Sequence, residues 1–119
     1  MFGKFLAPAV NKFLERNAAG EDWLLYDPPL AIYFYGTAYN DPADPVVTAT
    51  IAMLAGESFG LGTCLLGFPG YIFQNSAPLR RKYGLPKKIQ PGLMVVFGYP
   101  AYTSRYALRR RFRDVRNFA

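Results

Sequence analysis

Only two segments of this 119-residue chain read as strands, and they lie far apart in sequence. Leu30-Ala31-Ile32-Tyr33-Phe34-Tyr35 is apolar throughout and bounded by proline and glycine, the pattern of a strand buried on both faces. Gly92-Leu93-Met94-Val95-Val96-Phe97-Gly98-Tyr99 is the clearer of the two, and Pro100 stops it. Two strands do not form a stable sheet alone. The chain is therefore expected to draw further strands from a partner copy or from a segment outside it.

The rest reads as helix and turn. Phe2, Phe5, Leu6, Ala9, Val10, Phe13 and Leu14 form one apolar stripe, with Lys4, Asn11, Lys12, Glu15 and Arg16 off it. This predicts an amphipathic helix that starts or kinks at Pro8 and is over by Gly20. Residues 21–29 form a polar and aromatic connector closing in Asp27-Pro28-Pro29. After a turn-rich loop, Asp44-Pro45 predicts a helix start, with Asp44 as N-cap. That helix runs from about Val46 to Phe59, turns Ile51, Leu54, Ala55 and Phe59 to a core, and is capped by Gly60. Four glycines fall between Gly60 and Gly70, which predicts a loop that bends sharply or lets something approach its backbone. Ser76 to Tyr83 is a further helix, capped by Ser76, with Arg80, Arg81 and Lys82 in its last turn and Gly84 ending it. The expectation is one α+β domain with helices around a mostly antiparallel sheet. It divides into an amphipathic helix at 1–20, a core at 21–100 and a basic tail at 101–119.

Composition removes several chemistries. With no histidine there is no Ser-His-Asp triad, no Cys-His pair and no common His-based zinc site. The single cysteine, Cys64, forms no internal disulfide and holds no iron–sulfur cluster, so nothing points to an oxidising compartment. It lies in an apolar context without a nearby base and is expected to be a buried thiol. Glu57 is read as a solvated or helix-paired carboxylate, and no two acids form an acid/base pair. No signal peptide is evident. Val46 to Phe73 carries one charge, Glu57, but its glycines and prolines break it too often for a membrane span, so no membrane is expected and the location is read as cytoplasmic.

Charge is unevenly spread. Residues 1–79 carry three bases and seven acids, whereas residues 80–119 carry eleven bases and one acid. The tail Arg105-Tyr106-Ala107-Leu108-Arg109-Arg110-Arg111-Phe112-Arg113 is either a solvated basic terminus or a seat for an anion. The glycine segment is no dinucleotide loop: Gly60-x-Gly62 is followed by Leu at 65, and it trails a helix where a strand is required. No Gly-Lys-Ser/Thr occurs, so there is no P-loop.

Four blocks in order resemble the second half of the FMN-dependent nitroreductase family: Gly60-Leu61-Gly62-Thr63-Cys64 after an apolar helix, Tyr83-Gly84-Leu85-Pro86, Val95-Val96-Phe97-Gly98-Tyr99-Pro100, and Arg105-x-x-x-Arg109. Asp27-Pro28-Pro29-Leu30-Ala31-Ile32 is similar to the family's lead into a core strand. The resemblance covers roughly residues 20–116. It is closest to the branch often fused to a ferredoxin-like iron–sulfur segment.

The resemblance implies a partial nitroreductase-like fold and an oxidoreductase whose FMN takes electrons from a nicotinamide or a reduced protein donor. The acceptor would be a nitro, quinone or similar group. It implies backbone donors to flavin N5 and O4 at Leu65, Leu66, Gly67 and Phe68. It implies a phosphate grip at Arg105 and Arg109, here without the prolines of the branch's Arg-x-Pro-Pro-Arg, so that Arg110 is a substitute for Arg109. No catalytic side chain and no metal ligand are implied. The family's N-terminal Arg- and Ser-bearing motif has no counterpart in this chain. The expectation is a truncated or split member with an incomplete flavin site, paired as a homodimer or with a chain that supplies the missing half, and not a nucleic-acid binder. The alternative is a small, basic, non-catalytic protein whose Arg-rich tail binds nucleic acid or an acidic partner.

Overall fold

The sheet has three strands, not two. The structure, a computed structural model, describes residues 11–102, and the architecture is given for these. Strand β1 (Leu30–Phe34), β2 (Gly62–Leu66) and β3 (Leu93–Gly98) form an antiparallel sheet in the order β1-β3-β2. The richest apolar run, β3, takes the central place, where both its neighbours pair with it. Four helices accompany the sheet: α1 at residues 11–18, α2 (Asp44–Ser58), α3 (Phe68–Asn75) and α4 (Ala77–Lys82). The chain is thus mixed α and β with an antiparallel sheet.

The register sorts the side chains. Directly opposed residues share a face, so Leu30, Phe97 and Thr63 lie on one side with Ile32, Val95 and Leu65. Ala31, Val96 and Cys64 lie on the other with Tyr33, Met94 and Leu66. Helix α2 covers the first face: Ala49, Val95 and Phe97 are buried together, with Ala52 and Met53 packed against them. Helices α3 and α4 stand over the second face, where the Phe73 ring sits 4.6 Å from that of Tyr33.

Several sequence expectations are corrected. The glycine segment is not a loop: it contains β2 and the start of α3. Glycine and cysteine weaken the local strand signal, and pairing with β3 supplies what propensity lacks. The face of α2 is also reversed. Ile51, Leu54, Ala55 and Phe59 are exposed, Ile51 at 61% and Leu54 at 64%, while the small residues Ala49, Ala52 and Gly56 meet the sheet. Small residues let the helix approach closely: a methyl on Gly56 would lie 2.9 Å from the Phe97 ring and from Thr63 Cγ2. Asp44 is the first helical residue of α2 and not its cap; Ala43 holds that position, and no side chain caps the helix. Strand β1 is not buried on both faces, because it is an edge strand that the helices cover only in part. Cys64 is exposed, since β2 forms the opposite edge.

Other expectations hold. Gly60 and Gly84 adopt left-handed backbone after α2 and α4, with φ of 77° and 67°. The Ser76 hydroxyl accepts from Leu79 N at the start of α4. Before β1, the Asp22 carboxylate accepts from Leu24 N, Leu25 N and Asp27 N, fixing a turn in which Tyr26 and Asp27 are both left-handed. The expected helix over 1–16 lies outside the described residues up to position 10, and the basic tail lies outside them from position 103. Among the described residues no helix is long and apolar enough to cross a membrane.

Two features leave surface without a partner. Among the described residues, β1 and β2 each pair on one side only, leaving two sheet edges with ladder groups open. Helix α2 is apolar on both faces, and its outward side from Val46 to Ala55 carries no charge. A helix that is apolar all round belongs in the interior of a larger body.

Candidate functional site

The sequence-predicted residues Leu65, Leu66, Gly67 and Phe68 fall at one junction. Leu65 and Leu66 end β2, Gly67 is the residue before α3, and Phe68 is the first residue of α3. Pro69, with its fixed φ and no N–H, suits the first turn and lets α3 begin abruptly after a strand. The first N–H groups of a helix have no acceptor inside it, and no side chain caps α3. A methyl on Gly67 would meet nothing nearer than Leu93 Cδ2 at 3.9 Å, so the backbone there is open to approach. Pro69 has no N–H and the Gly70 N–H donates to the Gly67 carbonyl, so the N–H groups that the start of α3 can offer, with the partial positive charge of a helix N-terminus, are those of Gly67 and Phe68.

A glycine pair fixes the junction in place. The space beside Gly70, in the first turn of α3, is filled by the backbone of Gly92 at the start of β3. Gly92 in turn lies against the carbonyl of Phe34 and the hydroxyl of Tyr33. Neither position has room for a side chain. Sequence reasoning singled out Gly70 only as one of four glycines and did not link it to Gly92, because the contact joins residues from different elements. The Tyr33 hydroxyl is buried without a hydrogen-bond partner, and burial pushes its pKa up from 10.0.

Beside this joint, between the sheet and the α3–α4 layer, lies an apolar cleft of about 490 Å³. Tyr33, Met94, Ile72, Phe73, Leu79 and Tyr83 line it, with Phe73 and Tyr83 edge to face at 5.7 Å between ring centres. A second, shallower hollow of about 510 Å³ lies between the Pro28-Pro29 turn and the β2–β3 pair, with Cys64 and Leu66 on its wall. Neither was legible from periodicity.

Charged chemistry is thin. Among the described residues the one ion pair is Arg16–Glu21 at 3.2 Å, exposed and far from the junction in sequence. No group of acids, cysteines or histidines among them could hold a metal. Arg105 and Arg109 lie outside the described residues. The structure therefore brings four of the six predicted cofactor-binding residues together. No family model matches the chain, and no curated protein or solved structure is detectably similar to it.

Proposed function

We propose that the chain carries part of the flavin site of a nitroreductase-like, FMN-dependent oxidoreductase, completed by a second copy or by a chain that supplies the remaining strands. The observation that carries this reading is the β2–α3 junction. Leu65 and Leu66 close β2 and lead directly into Gly67 and Phe68, whose backbone N–H groups start α3 beside an open Gly67, on a sheet whose two edges are unpaired among the described residues. The resemblance assigns the flavin N5 and O4 edge to these four residues.

The residues fit such a group. Donors at a helix N-terminus stabilise negative charge on a reduced ring, and the missing side chain at Gly67 permits close approach. When bound, FMN supplies the electron-transfer chemistry, from a nicotinamide or reduced protein donor to a nitro or quinone acceptor. The chain's part is to bind, orient and polarise. Leu65 and Phe68, both partly exposed, supply apolar cover beside the donors. Arg105 and Arg109 take the phosphate, since guanidinium offers paired donors matching phosphate oxygens. A lone thiol suits a reducing, cytoplasmic setting.

The test is titration of FMN and of riboflavin by fluorescence quenching. The chain alone binds FMN weakly or not at all, because only part of the site is present, and the completed assembly binds it tightly. In that assembly Arg109→Ala weakens FMN about ten- to a hundred-fold, the equivalent of one charged hydrogen bond of roughly 1.5–3 kcal/mol. Arg113→Ala and Arg116→Ala change it little, and riboflavin binding is the same for wild type and Arg109→Ala. Equal losses from all the arginines, with riboflavin falling in step, refute the clamp. Absence of saturable quenching by the completed assembly up to about millimolar protein, near 4 kcal/mol of binding, refutes the flavin reading.

A further inference from the structure

We propose that the basic segment Arg80–Lys88, together with the apolar cleft it borders, docks an acidic peptide segment of a partner protein through one large apolar or aromatic side chain. This inference is independent of the flavin reading.

Five cations fall within nine residues: Arg80, Arg81, Lys82, Lys87 and Lys88. From Ser58 to Tyr102 the sequence contains no acid at all. Arg80 is engaged: its Nη1 donates to the carbonyls of Phe73 and Gln74 at the end of α3, tying α4 to α3. Arg81, Lys82, Lys87 and Lys88 are exposed and form no ion pair among the described residues. Four cations without an acidic partner among the described residues, on the end of α4 and the chain that follows it, make a local positive field that favours carboxylates.

The same segment builds one wall of the cleft. Leu79 on α4 and Tyr83 just past its end, four residues apart, face into it, and Leu85 continues the wall past the left-handed Gly84. Lys82 Nζ lies 5.4 Å from the centre of the Tyr83 ring, which places a charge directly at the apolar rim. The cleft, at about 490 Å³, is in the size range of a site for a compact ligand or anchor group. Its lining is apolar and aromatic. An apolar hollow with Lys82 at its rim, on a segment rich in exposed cations, complements an acidic strand of chain that carries a Phe, Tyr or Leu.

The geometry favours a peptide over single-stranded nucleic acid. Non-specific binding of a strand uses a row of exposed rings on which successive bases stack. Here Tyr33, Phe73 and Tyr83 pack against one another around a single hollow, at 4.6 and 5.7 Å between centres. The hollow takes an apolar anchor, and the rings that line it pack against one another instead of standing in an exposed row.

The experiment uses the full chain and three fluorescein-labelled probes of matched charge: poly-glutamate, a glutamate–tyrosine copolymer, and oligothymidylate. Binding is read by anisotropy. The expected result is a copolymer affinity at least about ten-fold above that of poly-glutamate, one anchor being worth 1.4 kcal/mol or more. Lys82→Glu/Lys87→Glu/Lys88→Glu weakens both polymers about ten-fold or more. Tyr83→Ala, or Leu85→Ser should the first variant lose its helical circular dichroism, abolishes the advantage of the copolymer and leaves poly-glutamate unchanged. Charge reversal at Arg109, Arg110 and Arg111 lowers both polymers by a common factor and keeps their ratio. A ratio near one, a ratio indifferent to both cleft variants, or oligothymidylate binding as tightly as the copolymer overturns the proposal.

Discussion

Replacing Gly70 by alanine sets two rules against each other. By helix propensity the change stabilises, because alanine is favoured over glycine inside a helix by about 1 kcal/mol. The packing says the opposite. A methyl at Gly70 would fall inside the carbonyl oxygen of Gly92 and 2.9 Å from its carbonyl carbon, where ordinary contact starts at 3.4 Å. The obstructing atoms are backbone, so no rotamer change relieves the clash. Gly92 is itself closely packed, with the Phe34 carbonyl and the Tyr33 hydroxyl beside it. Helix α3 must lift from β3, which unpacks Phe73 from Tyr33. Overpacking of a fitted joint costs about 1–3 kcal/mol, and a backbone-on-backbone clash belongs at the upper end. After the propensity gain the net loss is about 2 kcal/mol, roughly 8–16 °C in Tm for a domain of this size. Gly67→Ala is the internal control. Its backbone is right-handed, at φ −84° and ψ −30°, and its nearest neighbour stands at 3.9 Å, so alanine there is neutral or stabilising by up to about 1 kcal/mol. Thermal and urea unfolding of the two variants, followed by circular dichroism at equal concentration, gives the comparison. If Gly70→Ala proves as stable as Gly67→Ala, the α3–β3 joint is not built as described.

Stability falls at both ends of the pH range. Burial raises the Tyr33 phenol above 10.0, so the folded state holds its proton more tightly than the unfolded chain; stability is intact below pH 10 and drops as pH climbs through the folded value, a loss that Tyr33→Phe removes. The N–H groups of Leu25, Leu24 and Asp27 lower Asp22 below 3.8, so its contribution is present above that pH and is lost on acidification through the lower folded value, with Asp22→Asn flattening the acid limb in urea titrations. The outward side of α2 is expected to drive association: light scattering should detect a dimer or larger species for the wild type, and Ile51→Lys/Leu54→Lys should weaken it ten-fold or more, since each buried aliphatic contributes about 1.5–3 kcal/mol. A well-folded wild-type monomer at high concentration refutes that surface as an interface.

What was legible followed locality. Gly60 and Gly84 announce helix ends because a left-handed residue is a property of one position. Ser76 announces a helix start because its hydroxyl reaches only three residues ahead. Strands β1 and β3 were visible as continuous apolar runs. Strand β2 was not, because Gly62-Thr63-Cys64 has weak intrinsic preference and becomes a strand through pairing with Val96, Phe97 and Gly98, more than thirty residues on. The facing of α2 failed for a related reason. Apolar residues occur all round it, so periodicity could not choose a side; the choice was made by Ala49, Ala52 and Gly56, whose small size lets the helix sit close to Phe97.

The same distinction separates the two halves of the candidate site. Leu65 to Phe68 were legible because they are contiguous, and a run of four residues keeps its neighbours whatever the rest of the fold does. The features that give the run its position are not contiguous. The joint needs Gly70 from α3 and Gly92 from the loop before β3, and the cleft beside it needs β1, β3, α3 and α4 together. A flavin site of the proposed kind adds a further level, since its phosphate grip belongs to the tail and its remaining walls to another body. The edges of β1 and β2 that are unpaired among the described residues, and the charge-free outer side of α2, are where such a body has something to join: ladder groups on the edges, and aliphatic surface on the helix. A third strand packed under helices removes the stability argument that two strands made for added ones, and what remains is surface that another body can join: the open edge that two strands would have left on β3 lies instead on β2.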